Sequence, residues 1–168
     1  TGHVRVDEWS SSTWVQIGAD IDGEAAGDRS GAVSLSSDGN RLAIGAPGND
    51  ANGTDSGHAR VYQWSGMAWT QLGTDIDGEA AGDIFGRSLS LSSDGNHLAI
   101  GTPHNDDIGA KLGHVRVYQW SGTGWTQVGA DIDGEAVGDY SGFSVSLSSD
   151  GNRLASGAIW NDGNGGSG

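Results

Sequence analysis

The segment DIDGEAAGD at residues 20–28 sets four carboxylates at relative positions 1, 3, 5 and 9; it recurs unchanged at 75–83 and as DIDGEAVGD at 131–139. Oxygen ligands in that rhythm are what a calcium loop supplies, with a backbone carbonyl at position 7. The candidate metal ligands are therefore Asp20, Asp22, Glu24 and Asp28, then Asp75, Asp77, Glu79 and Asp83, then Asp131, Asp133, Glu135 and Asp139, with Ca2+ as the candidate cofactor. These are 12 of the 22 acidic residues. Carboxylates so concentrated repel one another unless a cation or hydrogen-bond donors intervene. A second reading comes from the glycine, which stands at position 4 rather than 6, and from the missing glutamate at 12. Here a strand end turns Ile21, Ile76 and Ile132 inward, and Asp28, Asp83 and Asp139 accept backbone N–H groups in the turn that follows.

The tryptophans are the second chemical signal. Trp9 and Trp14, Trp64 and Trp69, and Trp120 and Trp125 recur five residues apart around a Ser-rich or Ser-Gly turn. Rings beside polar loops stack on sugars; the same rings also staple a hairpin or pack between neighbouring units. Catalytic signals are sparse. A glycosidase needs two carboxylates in different environments across a cleft, and three near-identical copies offer no such difference. His3, His58 and His114 lie one repeat apart at strand starts and read as exposed, while His97 and His104 occur in one unit only. No Ser-His-Asp spacing, Cys/His zinc set or phosphate loop is present, and the closing GNGGSG has linker composition. The residues predict no enzyme.

What must position these groups is a repeat. GHVRVDEWSSSTWVQIG begins at Gly2, GHARVYQWSGMAWTQLG at Gly57 and GHVRVYQWSGTGWTQVG at Gly113, giving units 2–56, 57–112 and 113–168. Each unit predicts four strands. SVSLSS (144–149) alternates apolar and small polar residues; an Asp-Gly turn leads to a return strand such as RLAIGAP (41–47). After a Gly/Asn/Asp-rich loop, HVRVYQW (114–120) alternates again, and WTQVGADI (125–132) is the fourth strand. No segment has a helical period. Four antiparallel strands per unit predict an all-β propeller of four-stranded blades. The first two strands carry Ser, Ala and Gly and the last two Trp, Tyr, Arg and Gln, as a wedge narrow at its axis requires.

DIFGRSLSLSSDGNHLAIGTP (83–103) with GHVRVYQW (113–120) resembles the FG-GAP repeats of integrin α-subunit propellers and their relatives. Phe85-Gly86 is a literal Phe-Gly, whereas Gly31 and Gly142 follow Ser30 and Ser141. Gly45-Ala46-Pro47 is a literal Gly-Ala-Pro, Gly101-Thr102-Pro103 nearly so, and Gly157-Ala158-Ile159 lacks the proline. The resemblance covers all three units. It implies a propeller for adhesion or display, outside the cell or on its surface. The family's Asp-x-Asp-x-Asp-Gly calcium loop is replaced here by SSDGN, so calcium is not carried over to Asp38, Asp94 or Asp150.

The strand reading opens the chain with the outer half of a blade and closes it with an inner half, a circular permutation relative to the blades. Three units predict a head-to-tail homodimer of six blades with composite junction blades. The net charge of −14 excludes nucleic acid as a natural partner, and no apolar run reaches membrane-spanning length. The expected function is a non-catalytic propeller for protein interaction, adhesion or scaffold display, calcium-stabilised if the acidic segments hold the ion. A lectin-like carbohydrate-binding propeller with repeated sites is the alternative, and a propeller enzyme ranks last.

Overall fold

The computed structural model describes residues 1–105 and 111–161. Residues 162–168, through which the expected head-to-tail junction runs, lie outside them. All described regular structure is β. The first unit gives β1 (His3–Val4), β2 (Asp7–Ser10), β3 (Thr13–Gln16) and β4 (Ile21–Asp22). Next come β5 (Ala32–Leu35), β6 (Arg41–Ala46), β7 (His58–Trp64), β8 (Trp69–Gln71) and β9 (Ile76–Asp77). The third set is β10 (Ser88–Leu91), β11 (His97–Thr102), β12 (His114–Trp120), β13 (Trp125–Gln127) and β14 (Ile132–Asp133), and β15 (Ser144–Leu147) and β16 (Leu154–Gly157) close the series.

Two sheets are complete, in the orders β5-β6-β7-β8 and β10-β11-β12-β13, with β9 on β7 and β14 on β12. Every pair of the described strands is antiparallel, and the two sheets share one register, Leu42 opposite Tyr62 and Leu98 opposite Tyr118. On either side lie two-stranded pieces: β1-β4 and β2-β3 before them, β15-β16 after. The expected fourth strand over 125–132 is corrected to two short pieces. Gly129 takes φ 76° between β13 and β14, and the chain leaves β12 after pairing Gln127 with Tyr118 and returns to pair Ile132 with Val115 and Asp133 with His114.

Successive side chains of a strand point to opposite faces, and β6 is buried on both. Leu42 and Ile44 join Val4, Val6 and Tyr62 in one apolar cluster; Ala43 joins Val61, Ile76, Phe85, Leu91, Leu98, Ile100 and Tyr118 in the other. Each cluster lies between successive sheets, so a unit completes its core only against its neighbours.

The small polar residues of the inner strands make the joints. Leu91 N–H donates to Ser34 Oγ and Leu147 N–H to Ser90 Oγ, each at 2.9 Å. Ser37 N–H donates to Ser93 O and Ser93 N–H to Ser149 O, also at 2.9 Å. Thus β5, β10 and β15 stand side by side as a propeller-like arc. Its seam admits no side chain: a Cβ on Gly45 would overlap the carbonyl oxygen of Gly86, and one on Gly101 that of Gly142.

The Asp-Gly hairpins are fixed by their own carboxylates. Ser92 Oγ–H donates to Asp94 Oδ1 at 2.6 Å, and Asn96 donates its backbone and side-chain N–H groups to the two oxygens at 2.9 Å. These bonds, the serine first, hold Asp94 at about 2, below its ordinary 3.8, and Asp38 at about 2 likewise. A depressed folded value contributes stability that is present above the unfolded value near 3.8 and lost as pH falls towards 2. The Asp94→Asn variant is therefore expected to lose part of the acid sensitivity of the urea midpoint in that window, compared with the parent chain.

Candidate functional site

The acidic segments send their carboxylates to different places. Asp20, Asp75 and Asp131 each accept a hydrogen bond from the glutamine four residues earlier, at 2.7, 2.5 and 2.7 Å. Asp22, Asp77 and Asp133 stand in strand register opposite His3, His58 and His114. Asp28, Asp83 and Asp139 are buried in the turn and accept the backbone N–H of Ala25, Ala80 and Ala136 at 2.8, 3.1 and 2.9 Å. Glu24 and Glu79 reach across to the next unit. Glu135 is exposed at the mouth of an open cavity of ≈ 290 Å³ shared with Asp133, Asp139 and Asn161.

The reach of Glu24 and Glu79 creates two sites between units. His58 opens β7 and Arg60 follows two residues later on the same face. Glu24 of the preceding unit and Asp75 of the same unit close over them, and His58 Nδ1 lies 3.8 Å from Glu24 Oε2 and 3.8 Å from Asp75 Oδ2. Arg60 Nη2 is 2.6 Å from Glu24 Oε1 and its Nε 3.5 Å from Asp75 Oδ1, both off the N–H line, so these are ion pairs without aligned hydrogen bonds. His58 is 3% exposed, and its Nδ1 has no hydrogen-bond partner. Burial, with Arg60 second, pushes the His58 imidazole below its ordinary range against the pull of Asp75 and Glu24, so it is neutral at pH 7. Burial, then Asp75, pushes Asp77 up. A cavity of ≈ 10 Å³, about the room of one water, borders His58, Arg60, Asp22 and Tyr62.

The copy one unit on is built differently. Arg116 Nε and Nη2 grip Asp131 at 2.9 and 2.6 Å in a two-pronged pair, and Nη2 also meets Glu79 at 2.5 Å. Arg116 holds Asp131 below the usual carboxylate range; His114 Nδ1 lies 3.8 Å from Asp131 Oδ2, and the buried ring atom without a hydrogen-bond partner is Nε2. In the first unit His3 is exposed, and Arg5 pairs with Asp7 at 2.8 Å. The three copies are thus unlike, which corrects the expectation of equivalent copies. The expectation of exposed histidines is corrected also: His58 and His114 are buried because the preceding acidic segment folds over them. Arg60 and Arg116 were not among the residues singled out from the sequence. The signal that marks them is the repeated His-x-Arg at the start of the third strand.

The paired tryptophans meet ring to ring at 5.4, 5.2 and 5.5 Å for Trp9–Trp14, Trp64–Trp69 and Trp120–Trp125. Trp69 Nε1–H donates to Ile17 O at 3.2 Å and Trp125 Nε1–H to Leu72 O at 3.0 Å, so the second ring of each pair ties its unit to the one before. Trp9 and Trp14 are exposed.

No family model and no curated protein matches the chain. Solved structures share its architecture. A protein from Bacteroides uniformis ATCC 8492, described as a putative 6-phosphogluconolactonase, matches with a TM-score of 0.59 over 92% of this chain and 40% of its own, at 11% identity. One from Bacteroides fragilis NCTC 9343, described in the same words, matches with a TM-score of 0.56 over 79% of this chain and 33% of its own, at 15% identity. The chain spans well under half the length of either. The likeness shows the fold: an all-β, propeller-like arrangement of antiparallel sheets. It also corrects the expectation of a non-catalytic module, since the propellers this chain is similar to carry the name of a lactonase rather than of an adhesion or display protein.

Proposed function

We propose that the chain is part of a propeller hydrolase that opens a sugar lactone, with the His58 cluster as its reaction site. One observation carries this reading: Arg60 Nε and Nη2 are buried N–H donors without an aligned acceptor, set beside the unpartnered Nδ1 of a neutral histidine and two carboxylates. Buried donors held ready for charge that develops during reaction are what stabilises an oxyanion. The half-exposed Glu24 stands between these donors and solvent and is the base. It takes a proton from water as the oxygen attacks the lactone carbonyl carbon. Arg60 holds the oxyanion so formed. The ring C–O bond then breaks, and the alkoxide leaves with the proton that Glu24 returns, giving the open acid.

The substrate class favoured is an uncharged lactone. Twelve carboxylates concentrated in the acidic segments oppose a phosphorylated sugar. Full blades need partners for the half-sheets β2-β3 and β15-β16, and exposed Val33 and Leu35 on β5 leave that inner strand uncovered. A second copy that closes a six-bladed ring supplies both.

The experiment is pH-stat hydrolysis of glucono-δ-lactone and of its 6-phosphate by the species that sediments at twice 17.1 kDa. The expected result is a rate above spontaneous opening for the neutral lactone, smaller for the phosphate, and reduced on the order of 100-fold in Glu24→Gln. Rates equal to the uncatalysed reaction with both substrates defeat the reading.

A further inference from the structure

We propose that Glu24, His58 Nδ1 and Asp75 form a site for one divalent transition-metal ion, held between the first and second units. The inference names an occupant for the site of the preceding reading and rests on that reading only for its location. Among the described residues this trio brings three ligand atoms within 4.8 Å of one another. The histidine distinguishes it from a mere acidic patch. Its Nδ1 is buried, has no hydrogen-bond partner and faces both carboxylate oxygens at 3.8 Å. A buried polar atom with no partner is costly unless something else meets its lone pair, and neutral imidazole is a metal ligand.

The spacing fits. Tetrahedral bonds of about 2.1 Å separate ligand atoms by about 3.4 Å, so each carboxylate closes on the imidazole by about 0.4 Å, and the two carboxylates, within 4.8 Å of each other, close by up to about 1.4 Å. Asp75 is oriented for the task. Gln71 Nε2 donates to its Oδ1 at 2.5 Å and leaves Oδ2 directed at the histidine, the kind of outer support that ligating carboxylates receive. Nitrogen with two carboxylates selects Zn2+, Co2+ or Mn2+ over Ca2+, which takes six to eight oxygens. Arg60 supplies one positive charge beside the two carboxylates, and Asp77 adds a further acidic group across the strand, so the pocket retains a negative balance for a cation.

The same reasoning sets the stoichiometry. At His114, Nδ1 again lies 3.8 Å from an oxygen of Asp131, but Arg116 already donates to both oxygens of that carboxylate and pairs with Glu79. The equivalent site is filled by the protein's own guanidinium. One ion per chain is therefore expected, although the sequence repeats the residues.

The test is titration of the full chain with Co2+, read by visible d–d absorption, followed by displacement with Zn2+. The expected result is a single equivalent bound with a tetrahedral spectrum and released by Zn2+. Affinity should fall about 100-fold in His58→Ala, at least about tenfold in Glu24→Gln, and stay within about twofold in His114→Ala. Glu24 is half exposed, so its variant folds and decides the matter if His58→Ala does not. Absence of binding, an affinity unchanged by Glu24→Gln, or a second equivalent removed by His114→Ala overturns the proposal. Binding without lactone hydrolysis would leave this inference standing and remove the enzymatic one; hydrolysis by chelator-treated protein that binds no metal would do the reverse.

Discussion

Replacing Phe85 with alanine is expected to destabilise the chain by about 3–5 kcal/mol, the cost of deleting a buried aromatic ring and leaving a cavity that the surroundings fill only in part. Phe85 is 1% exposed and lies in the cluster that joins the two complete sheets. Its ring meets Tyr118 edge to face at 6.4 Å, and that geometry adds to its burial. The ring thus binds the second unit to the third, and its loss should lower the urea midpoint cooperatively rather than fray one end. The corresponding positions in the flanking units are Ser30 and Ser141, also buried but with no ring to lose. Ser141→Ala is expected to cost less than about 1 kcal/mol, so the pair of variants separates the effect of the ring from that of the backbone position.

The second large effect comes from the smallest change. Gly45→Ala adds one carbon where the carbonyl oxygen of Gly86 already stands. Neither group is the end of a flexible side chain; both belong to backbone held by strand pairing, Gly45 in β6 opposite Ala32 and Ala59. Relief requires the two sheets to separate at their inner edge, which also strains the Ser34–Leu91 hydrogen bond at 2.9 Å. Overpacking of this kind costs about 3 kcal/mol or more. Equilibrium urea denaturation checks it, and Gly124→Ala, where an added Cβ meets nothing within 4 Å and the backbone is not left-handed, is the control for the loss of glycine itself.

The strands were legible because two periodicities are written into each unit. Alternation marked the third strand, His114–Trp120, at both of its ends, and Asp-Gly marked the inner hairpins. The break in the fourth strand was not legible, since WTQVGADI alternates through its glycine and only the positive φ at Gly129 interrupts pairing. The candidate site was half legible. The acidic segments announced themselves by charge, but their rhythm suggested one loop around one ion, whereas the first two segments distribute their carboxylates among a glutamine, a strand register, a neighbouring unit and a turn, and the third leaves Glu135 exposed. Glu24 meets His58 across 34 positions of sequence and Asp75 meets it across 17. Nothing in a local window says that one unit's glutamate closes over the next unit's imidazole. Likewise, Arg60 and Arg116 share their sequence context, and only side-chain placement distinguishes an unaligned ion pair from a two-pronged grip.

The serine joints have a consequence for assembly. Ser34 takes up Leu91, and Ser90 takes up Leu147, through the same atoms at the same distance. Each joint is indifferent to which copy of the motif it receives, so a motif offered by another molecule satisfies it as well as one from the same polypeptide. Concentrated refolding therefore favours strand exchange between molecules, while dilution favours the ordered succession along one chain.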